Sequence, residues 1–198
     1  MDLTGIMMDI FGPYGAVGVF LMVLCAFILD ATVVPALPEI FIIVGFSYDP
    51  TPGFAVVLII AAILGECIGN IILYTVVEKI GLPKKLKTVM NKYVGILFVS
   101  DERMMLVNRI APVIPYSGAF ISVIETWTLR RALFYITLGC VLKYGLILSM
   151  STFFYQYFTS DVAQTMMIVF VIAIIAISLI ASYIRKKKMF GDNPKQTE

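Results

Sequence analysis

The chain has 198 residues, of which 60% are apolar and 14% are charged, and its net charge is +2. This composition excludes a disordered chain and argues against a water-soluble globule. The three cysteines have no CxxC spacing and histidine is absent, so we expect neither a disulfide framework nor a metal site. The sequence contains no recognisable catalytic motif and no basic–aromatic surface, so we expect no enzyme, no cofactor and no nucleic-acid partner.

Four apolar stretches are long enough to cross a bilayer, which takes about 20 residues each. After a short interfacial lead, they cover residues 13–29, 53–77, 132–158 and 162–184. The sequence therefore predicts an all-α integral membrane protein with about four transmembrane helices. We expect a single transmembrane domain over residues 1–184 and a basic cytoplasmic tail over residues 185–198.

Lysine and arginine are concentrated in the central loop, just before the third span, and in the tail. The loops around Asp49 and Asp161 contain neither residue. The positive-inside rule therefore places the central loop and the C-terminus in the cytoplasm and these two loops outside. With four spans the N-terminus is also cytoplasmic, and we expect a multi-pass protein of the cell membrane.

Two further apolar stretches each contain two prolines, Pro35 with Pro38 and Pro112 with Pro115. Proline removes a backbone donor and breaks a helix. In lipid, a broken helix is tolerated only where protein or a water-filled cavity satisfies the freed backbone groups. We therefore predict two re-entrant helical hairpins with these prolines at their turns. The hairpin of residues 30–47 would enter from outside, and that of residues 104–125 from the cytoplasm.

The two hairpins, each followed by a span, predict an inverted repeat. An offset of 77 residues superimposes the two proline pairs, although few other residues are identical. The repeated units would cover about residues 30–78 and 107–155, with opposite orientations. Paired helix breaks in two halves of a membrane protein typically indicate a transport site.

Glu66 and Asn70 lie one turn apart in the second span, and the same offset maps Glu66 onto Lys143 in the third. An ionised side chain at that depth costs roughly 2.5–3.5 kcal/mol to insert, so it needs a partner or water. Two interpretations remain open. Glu66 is the titrating group of a proton or substrate relay, or Glu66 and Lys143 form an ion pair that orients two helices. The adjacent Gly65 and Gly69 favour close helix packing.

The first hairpin contains two acids, Asp30 at its mouth and Glu39 at its turn. A carboxylate beside unwound backbone can hold a cation or a proton. We interpret Asp30, Glu39 and Glu66 as residues that couple transport to such an ion. Asp30 equally fits an exposed acid at the membrane surface.

The second hairpin contains Arg109, whose guanidinium donates hydrogen bonds in pairs and therefore suits phosphate. Alternatively, Arg109 extends to the cytoplasmic headgroups or pairs with Glu125 or Asp101. A short polar segment follows the break and could line a pocket. The candidate substrate-binding residues are Arg109, Lys143, Tyr116 and Ser117.

Several short segments occur in a characteristic order. They are Phe27-Ile28-Leu29-Asp30 with Pro38-Glu39 and Gly45, then Gly65-Glu66-Cys67-Ile68-Gly69, then Asn108-Arg109-Ile110-Ala111-Pro112, then Phe134 with Gly139. This order, over about residues 20–150, resembles the DedA family, also called the SNARE-associated Golgi or VTT-domain family. Two positions depart from the family pattern. The family's second arginine is Pro115 here, and a frequent tryptophan of the next span aligns with Lys143.

The resemblance implies a divergent, homodimeric membrane transporter. Such a protein moves an anionic lipid, either a polyprenyl phosphate or a phospholipid, between leaflets and couples this movement to protons or another cation. On this interpretation Arg109 contacts the lipid phosphate, Lys143 balances charge at the midplane, and membrane lipids are the partners. A small-solute or multidrug exporter on the same scaffold and a membrane scaffold without transport activity remain alternatives.

Overall fold

The computed structural model describes residues 9–32, 38–81, 101–110 and 116–157, with the side chains of residues 154–157 excepted, and scattered positions between 162 and 183. The continuous ranges form six α-helices and contain no strand. The helices are α1 (Gly15–Thr32, after a 3₁₀ turn over Gly12–Tyr14), α2 (Pro38–Tyr48), α3 (Pro52–Ile80), α4 (Met104–Ile110), α5 (Ser117–Val123) and α6 (Leu129–Tyr157). The all-helical prediction is confirmed for these residues.

Three helices are long and apolar enough to cross a membrane, over Asp9–Thr32, Pro52–Ile80 and Leu129–Phe153. They coincide with three of the predicted spans and, like the composition, suggest a membrane protein. Each of α3 and α6 has 29 residues. At 1.5 Å per residue such a helix is about 43 Å long, more than the roughly 30 Å hydrocarbon layer. The fourth predicted span lies outside the described residues, except for isolated helical positions.

Helices α1 and α3 pack closely in the same direction. A Cβ atom added at Gly65 would lie 2.6 Å from the Phe27 Cβ, and one added at Gly69 would lie 2.6 Å from the Ala31 Cβ. Only glycine leaves room for backbones this close. Because each helix advances by four residues between the two contacts, α1 and α3 run parallel. The close packing expected from the two glycines is present.

Helix α2 returns antiparallel to α1, so that the two form a helical hairpin beside α3. Near the end of α2, a Cβ atom at Gly45 would lie 3.1 Å from Val19 and 3.3 Å from Leu58. Val19 and Leu58 lie near the starts of α1 and α3. The open end of the hairpin, where α1 starts and α2 ends, is therefore next to the start of α3. With 11 residues, α2 is about 16 Å long and too short to cross a bilayer.

The first hairpin differs from its predicted boundaries. The sequence indicated a complete span ending at Asp30 and a separate hairpin over residues 30–47, whereas α1 continues to Thr32 and is itself the first arm. Asp30 lies inside α1, and Arg109 approaches its carboxylate to 3.6 Å. The first unit therefore consists of α1, α2 and α3, and begins earlier than the predicted residue 30. Its turn, over residues 33–37, lies outside the described residues.

Helices α4, α5 and α6 form a second unit of similar design. The Glu102 carboxylate accepts a 3.0 Å hydrogen bond from the Thr128 amide at the start of α6. Further along both helices, a Cβ atom at Gly139 would lie 2.6 Å from the Arg109 Cβ. Helix α4 thus runs parallel to α6, as α1 does to α3. Helices α4 and α5 occupy the two predicted arms of the second hairpin, whose turn, over residues 111–115, lies outside the described residues.

The long helices of the two units have matching boundaries. An offset of 77 residues places the start and the end of α3 on the start and the end of α6. Glu66 and Lys143 each occupy the fifteenth of 29 positions. This agreement in helix boundaries supports the proposed repeat more strongly than the few identical residues do.

Candidate functional site

Five ionisable side chains from both units meet at the centre of the helix bundle. Three come from the ends of hairpin arms next to the chain turns, and two come from the middles of α3 and α6. Glu39 and Glu66 are only 5% and 1% exposed. We call this set the charged centre, and its members are Asp30, Glu39, Glu66, Arg109 and Lys143.

Arg109 joins two acids of the first unit. Its Nη2 atom forms an ion pair with the Glu66 carboxylate and lies 3.6 Å from Asp30 Oδ2. The same nitrogen donates a 3.2 Å hydrogen bond to the Tyr144 hydroxyl. Three oxygen atoms from α1, α3 and α6 therefore surround one nitrogen atom.

Lys143 forms the second ion pair, with Glu39 at the start of α2. Its ammonium group also lies 5.6 Å from the centre of the Tyr144 ring. Because the Tyr144 hydroxyl contacts Arg109, this one side chain connects the two ion pairs. Tyr144 is fully buried, and its ring packs edge-on against Phe27 of α1 with 5.1 Å between ring centres.

The two ion pairs cross between the units. Arg109 of the second hairpin pairs with the long helix α3 of the first unit, and Glu39 of the first hairpin pairs with the long helix α6 of the second. The Glu66–Lys143 ion pair considered from the sequence is replaced by these contacts. Among the ion pairs of the described residues, Arg109 likewise has none with Glu125 or Asp101, the partners considered for it. The physical reason is that each hairpin arm ends level with the middle of the opposite long helix.

The charges of the centre are unequal. The first unit supplies three carboxylates and the second unit supplies two cations. With all five groups ionised, these described side chains leave one excess negative charge.

Asn70 holds the Glu66 carboxylate in place. Its side-chain nitrogen donates to the Glu66 backbone carbonyl at 2.9 Å and to Glu66 Oε2 at 3.1 Å. Helix α5 packs directly on Asn70, because a Cβ atom at Gly118 would lie 2.5 Å from the Asn70 carbonyl oxygen. The second hairpin therefore fixes the residue that positions Glu66.

Three buried polar atoms of Glu66, Asn70 and Arg109 lack hydrogen-bond partners among the described residues. One of them, Glu66 Oε1, is in the ion pair with Arg109, and the other two are the acceptor Asn70 Oδ1 and the donor Arg109 Nε. A buried polar atom without a partner costs about 1–3 kcal/mol. Each such atom in a native protein therefore calls for an explanation, and an ordered water or an ion is a common one.

Tyr116 and Ser117 lie at the start of α5, next to the Gly118–Asn70 contact. Both are partly buried, and among the described contacts neither side chain bonds to the charged centre. Tyr116 adopts a left-handed backbone with φ of 57°, which is uncommon for a residue other than glycine. Of the four candidate prolines, Pro38 begins α2, while Pro35, Pro112 and Pro115 lie outside the described residues.

Two residues of the site were missed or undervalued from the sequence. Tyr144 was missed, although a tyrosine next to a mid-helix lysine is a signal that could have found it. Asn70 was noticed beside Glu66 but was not included among the candidate residues. Comparison with protein-family models, curated proteins and solved structures gave no match.

Proposed function

We propose that this protein is a membrane transporter that moves an anionic lipid between leaflets and couples this movement to a cation or a proton. One observation carries the proposal. Two helical hairpins and two long helices bring three acids and two bases together in the buried centre of an apolar helix bundle. Ionisable residues inside a membrane are costly, and they typically mark substrate or ion pathways.

The arrangement fits an inverted repeat with two re-entrant hairpins. The hairpin of the first unit would enter the membrane from the side of Asp49, and the hairpin of the second unit would enter from the side of the basic central loop. If that loop is cytoplasmic, then the start of α1 lies outside, because α1 runs parallel to α3. On this proposal the N-terminus lies outside, whereas the sequence analysis expected it in the cytoplasm. The C-terminus stays cytoplasmic if residues 162–184 form the fourth span.

In this mechanism Arg109 alternates between Glu66 and the substrate. A phosphate headgroup offers oxygen atoms that suit the planar guanidinium. Arg109 Nε is a buried donor without a described partner, and it is available to such an oxygen. A proton or cation that neutralises the acids weakens their hold on Arg109 and favours substrate binding. The lipid tails would remain in the bilayer.

Lys143 and Glu39, the second ion pair, take part in the same mechanism. Lys143 would balance the headgroup charge at the midplane while Glu39 takes up the coupling ion. Each ion pair joins the first unit to the second. Breaking one pair and then the other would therefore let the two units move against each other. Such movement of repeats around a fixed site is the usual basis of alternating access.

We place the protein in the cell membrane as a divergent relative of the DedA family. The ordered motifs of the sequence support this assignment, and Glu66 and Arg109, two motif residues, lie in the charged centre. As the resemblance to this family implies, we also propose that the protein forms a homodimer. Lys143, which replaces a frequent tryptophan of that family, is ion-paired with Glu39.

A second candidate function is the export of a cationic small molecule. The excess carboxylate of the charged centre favours this alternative, because it attracts positive charge. The two functions differ in the residue that contacts the substrate. An anionic lipid needs Arg109, whereas a cationic compound needs Glu66 and is repelled by Arg109.

The test compares substrate classes in proteoliposomes that contain the wild-type protein. Labelled polyprenyl phosphate, anionic phospholipid, neutral phospholipid and a cationic dye are followed separately across the bilayer. We expect faster movement of an anionic lipid than in protein-free vesicles, and no movement of the dye. Movement of the dye alone would select the exporter. Background rates for every anionic lipid would overturn the proposal.

A further inference from the structure

Tyr144 contacts both cations of the charged centre. Its hydroxyl accepts a 3.2 Å hydrogen bond from Arg109 Nη2, the same nitrogen that forms the ion pair with Glu66. The Lys143 ammonium group lies 5.6 Å from the centre of the Tyr144 ring, a distance at which a cation is attracted to an aromatic face. Tyr144 is fully buried, so both contacts lie away from solvent. The hydroxyl therefore helps to hold Arg109 at Glu66.

Contacts that do not involve Arg109 fix the position of this hydroxyl. The Tyr144 ring packs edge-on against Phe27 of α1, with 5.1 Å between ring centres, and aromatic pairs favour this arrangement. Lys143, the other neighbour of the ring, is itself ion-paired with Glu39. A buried ring held in this way stays in place when the guanidinium turns away, because a packed interior leaves little room for movement. The hydrogen bond is therefore made in one position of Arg109 and lost in the other.

This difference between the two positions of Arg109 affects how tightly the substrate binds. In the proposed mechanism Arg109 alternates between Glu66 and the phosphate headgroup. A group that bonds to only one of two states shifts the equilibrium toward that state, and the apparent affinity of a ligand for the other state falls accordingly. The Tyr144 hydroxyl stabilises Arg109 at Glu66 and does not stabilise Arg109 at the headgroup. It therefore opposes substrate binding.

We propose that Tyr144 is a positioning residue that holds Arg109 at Glu66 until an anionic headgroup replaces both partners. The inference rests on the proposed function and adds the residue that sets its substrate affinity. When Arg109 returns to Glu66, it regains the hydrogen bond to Tyr144 as well as the ion pair. The return of Arg109 is thereby favoured, and the lipid is released more readily at the end of each movement.

The experiment measures binding of a short-chain anionic lipid to the purified protein in detergent. The probe is dihexanoyl phosphatidic acid, titrated by calorimetry, and dihexanoylglycerol is the comparison that lacks the phosphate. Tyr144→Phe removes the hydroxyl and keeps the ring. We expect this variant to bind the anionic probe with a dissociation constant about fivefold below that of the wild type, the factor that one hydrogen bond typically contributes. In proteoliposomes, the mole fraction of anionic lipid that gives half-maximal movement should fall by the same factor.

Tyr135→Phe is the matched control. Tyr135 lies on the same helix, and its ring also packs edge-on against a phenylalanine, Phe134. It lies about two and a half turns before Tyr144, outside the charged centre, so its loss of a hydroxyl should leave the dissociation constant unchanged. A residue that only supports packing would lower stability when it is altered, and it would not tighten binding. If Tyr144→Phe does not fold, Tyr144→Met removes the same hydroxyl with a flexible apolar side chain and should also tighten binding.

The outcomes separate this inference from the proposed function. Unchanged or weaker binding of the anionic probe by a folded Tyr144→Phe would overturn the role of Tyr144, and so would equal tightening for dihexanoylglycerol. In both cases lipid movement by the wild type would leave the proposed function standing. Tighter binding by Tyr144→Phe in a protein that moves no lipid would retain the role of Tyr144 and remove the transporter. If neither the wild type nor the variant binds the anionic probe, both proposals are overturned.

Discussion

At the scale of single residues, the buried charges are held by partners from distant parts of the chain. The Glu39–Lys143 pair joins residues 104 positions apart. Removing one partner leaves the other charge buried without compensation, which typically costs about 3–5 kcal/mol. Replacing both partners with apolar residues avoids that cost.

We therefore expect Lys143→Met to lower the free energy of unfolding by about 3–5 kcal/mol, and Glu39→Leu/Lys143→Met to regain most of this loss. Thermal unfolding in detergent measures both changes. Lys79→Met is the matched control, because Lys79 is exposed at the end of α3. If Lys143→Met is as stable as the control, the pair is not buried in the way described.

Much of the charged centre could be predicted at this scale. Asp30, Glu39, Glu66, Arg109 and Lys143 were all identified because ionisable residues are rare in apolar segments. Their pairing could not be predicted, because it depends on the direction of α1 relative to α3. Gly65 and Gly69 predict close packing, but the glycine pattern does not say that Phe27 of α1 is the partner or that the two helices run parallel.

At the scale of helices, two glycines of α3 determine how closely α1 approaches. We expect Gly65→Val to lower the free energy of unfolding by about 1–3 kcal/mol, because its side chain would overlap Phe27 and Leu24. Gly145→Ala on α6 is the control, since an added Cβ atom meets nothing within 4 Å. Equal stability of the two variants in thermal unfolding would contradict the parallel packing of α1 and α3.

The hydrogen bonds between Glu102 and the start of α6 predict a dependence of stability on pH. Burial raises the pKa of Glu102, but hydrogen bonds from its own backbone amide and from Thr128, with the charge of Arg131, outweigh burial and hold the pKa below its usual 4.5. The ionised form is therefore favoured in the folded protein. Its contribution is complete above about pH 4.5 and is lost as the pH falls through the lowered pKa.

We expect the melting temperature of the wild type to fall below about pH 4.5 more steeply than that of Glu102→Gln, which cannot ionise. Glu125→Gln serves as the control because Glu125 is exposed, and it should follow the wild type. Identical pH profiles for all three proteins would show that the Glu102 contact contributes nothing.

The helices themselves were largely predictable, and the first hairpin was not. Apolar length identified α3 and α6, and the paired prolines identified the arms α4 and α5. The sequence separated α1 from its hairpin because a carboxylate such as Asp30 normally marks the membrane surface. In the structure, its contact with Arg109 and its low exposure show that this acid lies in the interior.

At the scale of the whole molecule, two units of similar design are joined by two ion pairs. All three acids belong to the first unit and both bases to the second. The charges therefore hold the two halves together, and a ligand that replaces one of them changes how the halves interact. This arrangement supports the proposal that the charged centre is a transport site.

The most direct test of this account is lipid movement by a protein whose central pair is neutral. Glu66→Gln/Arg109→Gln removes both charges of this pair together, and Arg103→Gln is the control because the Arg103 side chain is 75% exposed. In proteoliposomes we predict wild-type movement of the anionic lipid for the control and background movement for a folded double variant. Wild-type movement by the double variant would contradict the central role of the Glu66–Arg109 pair.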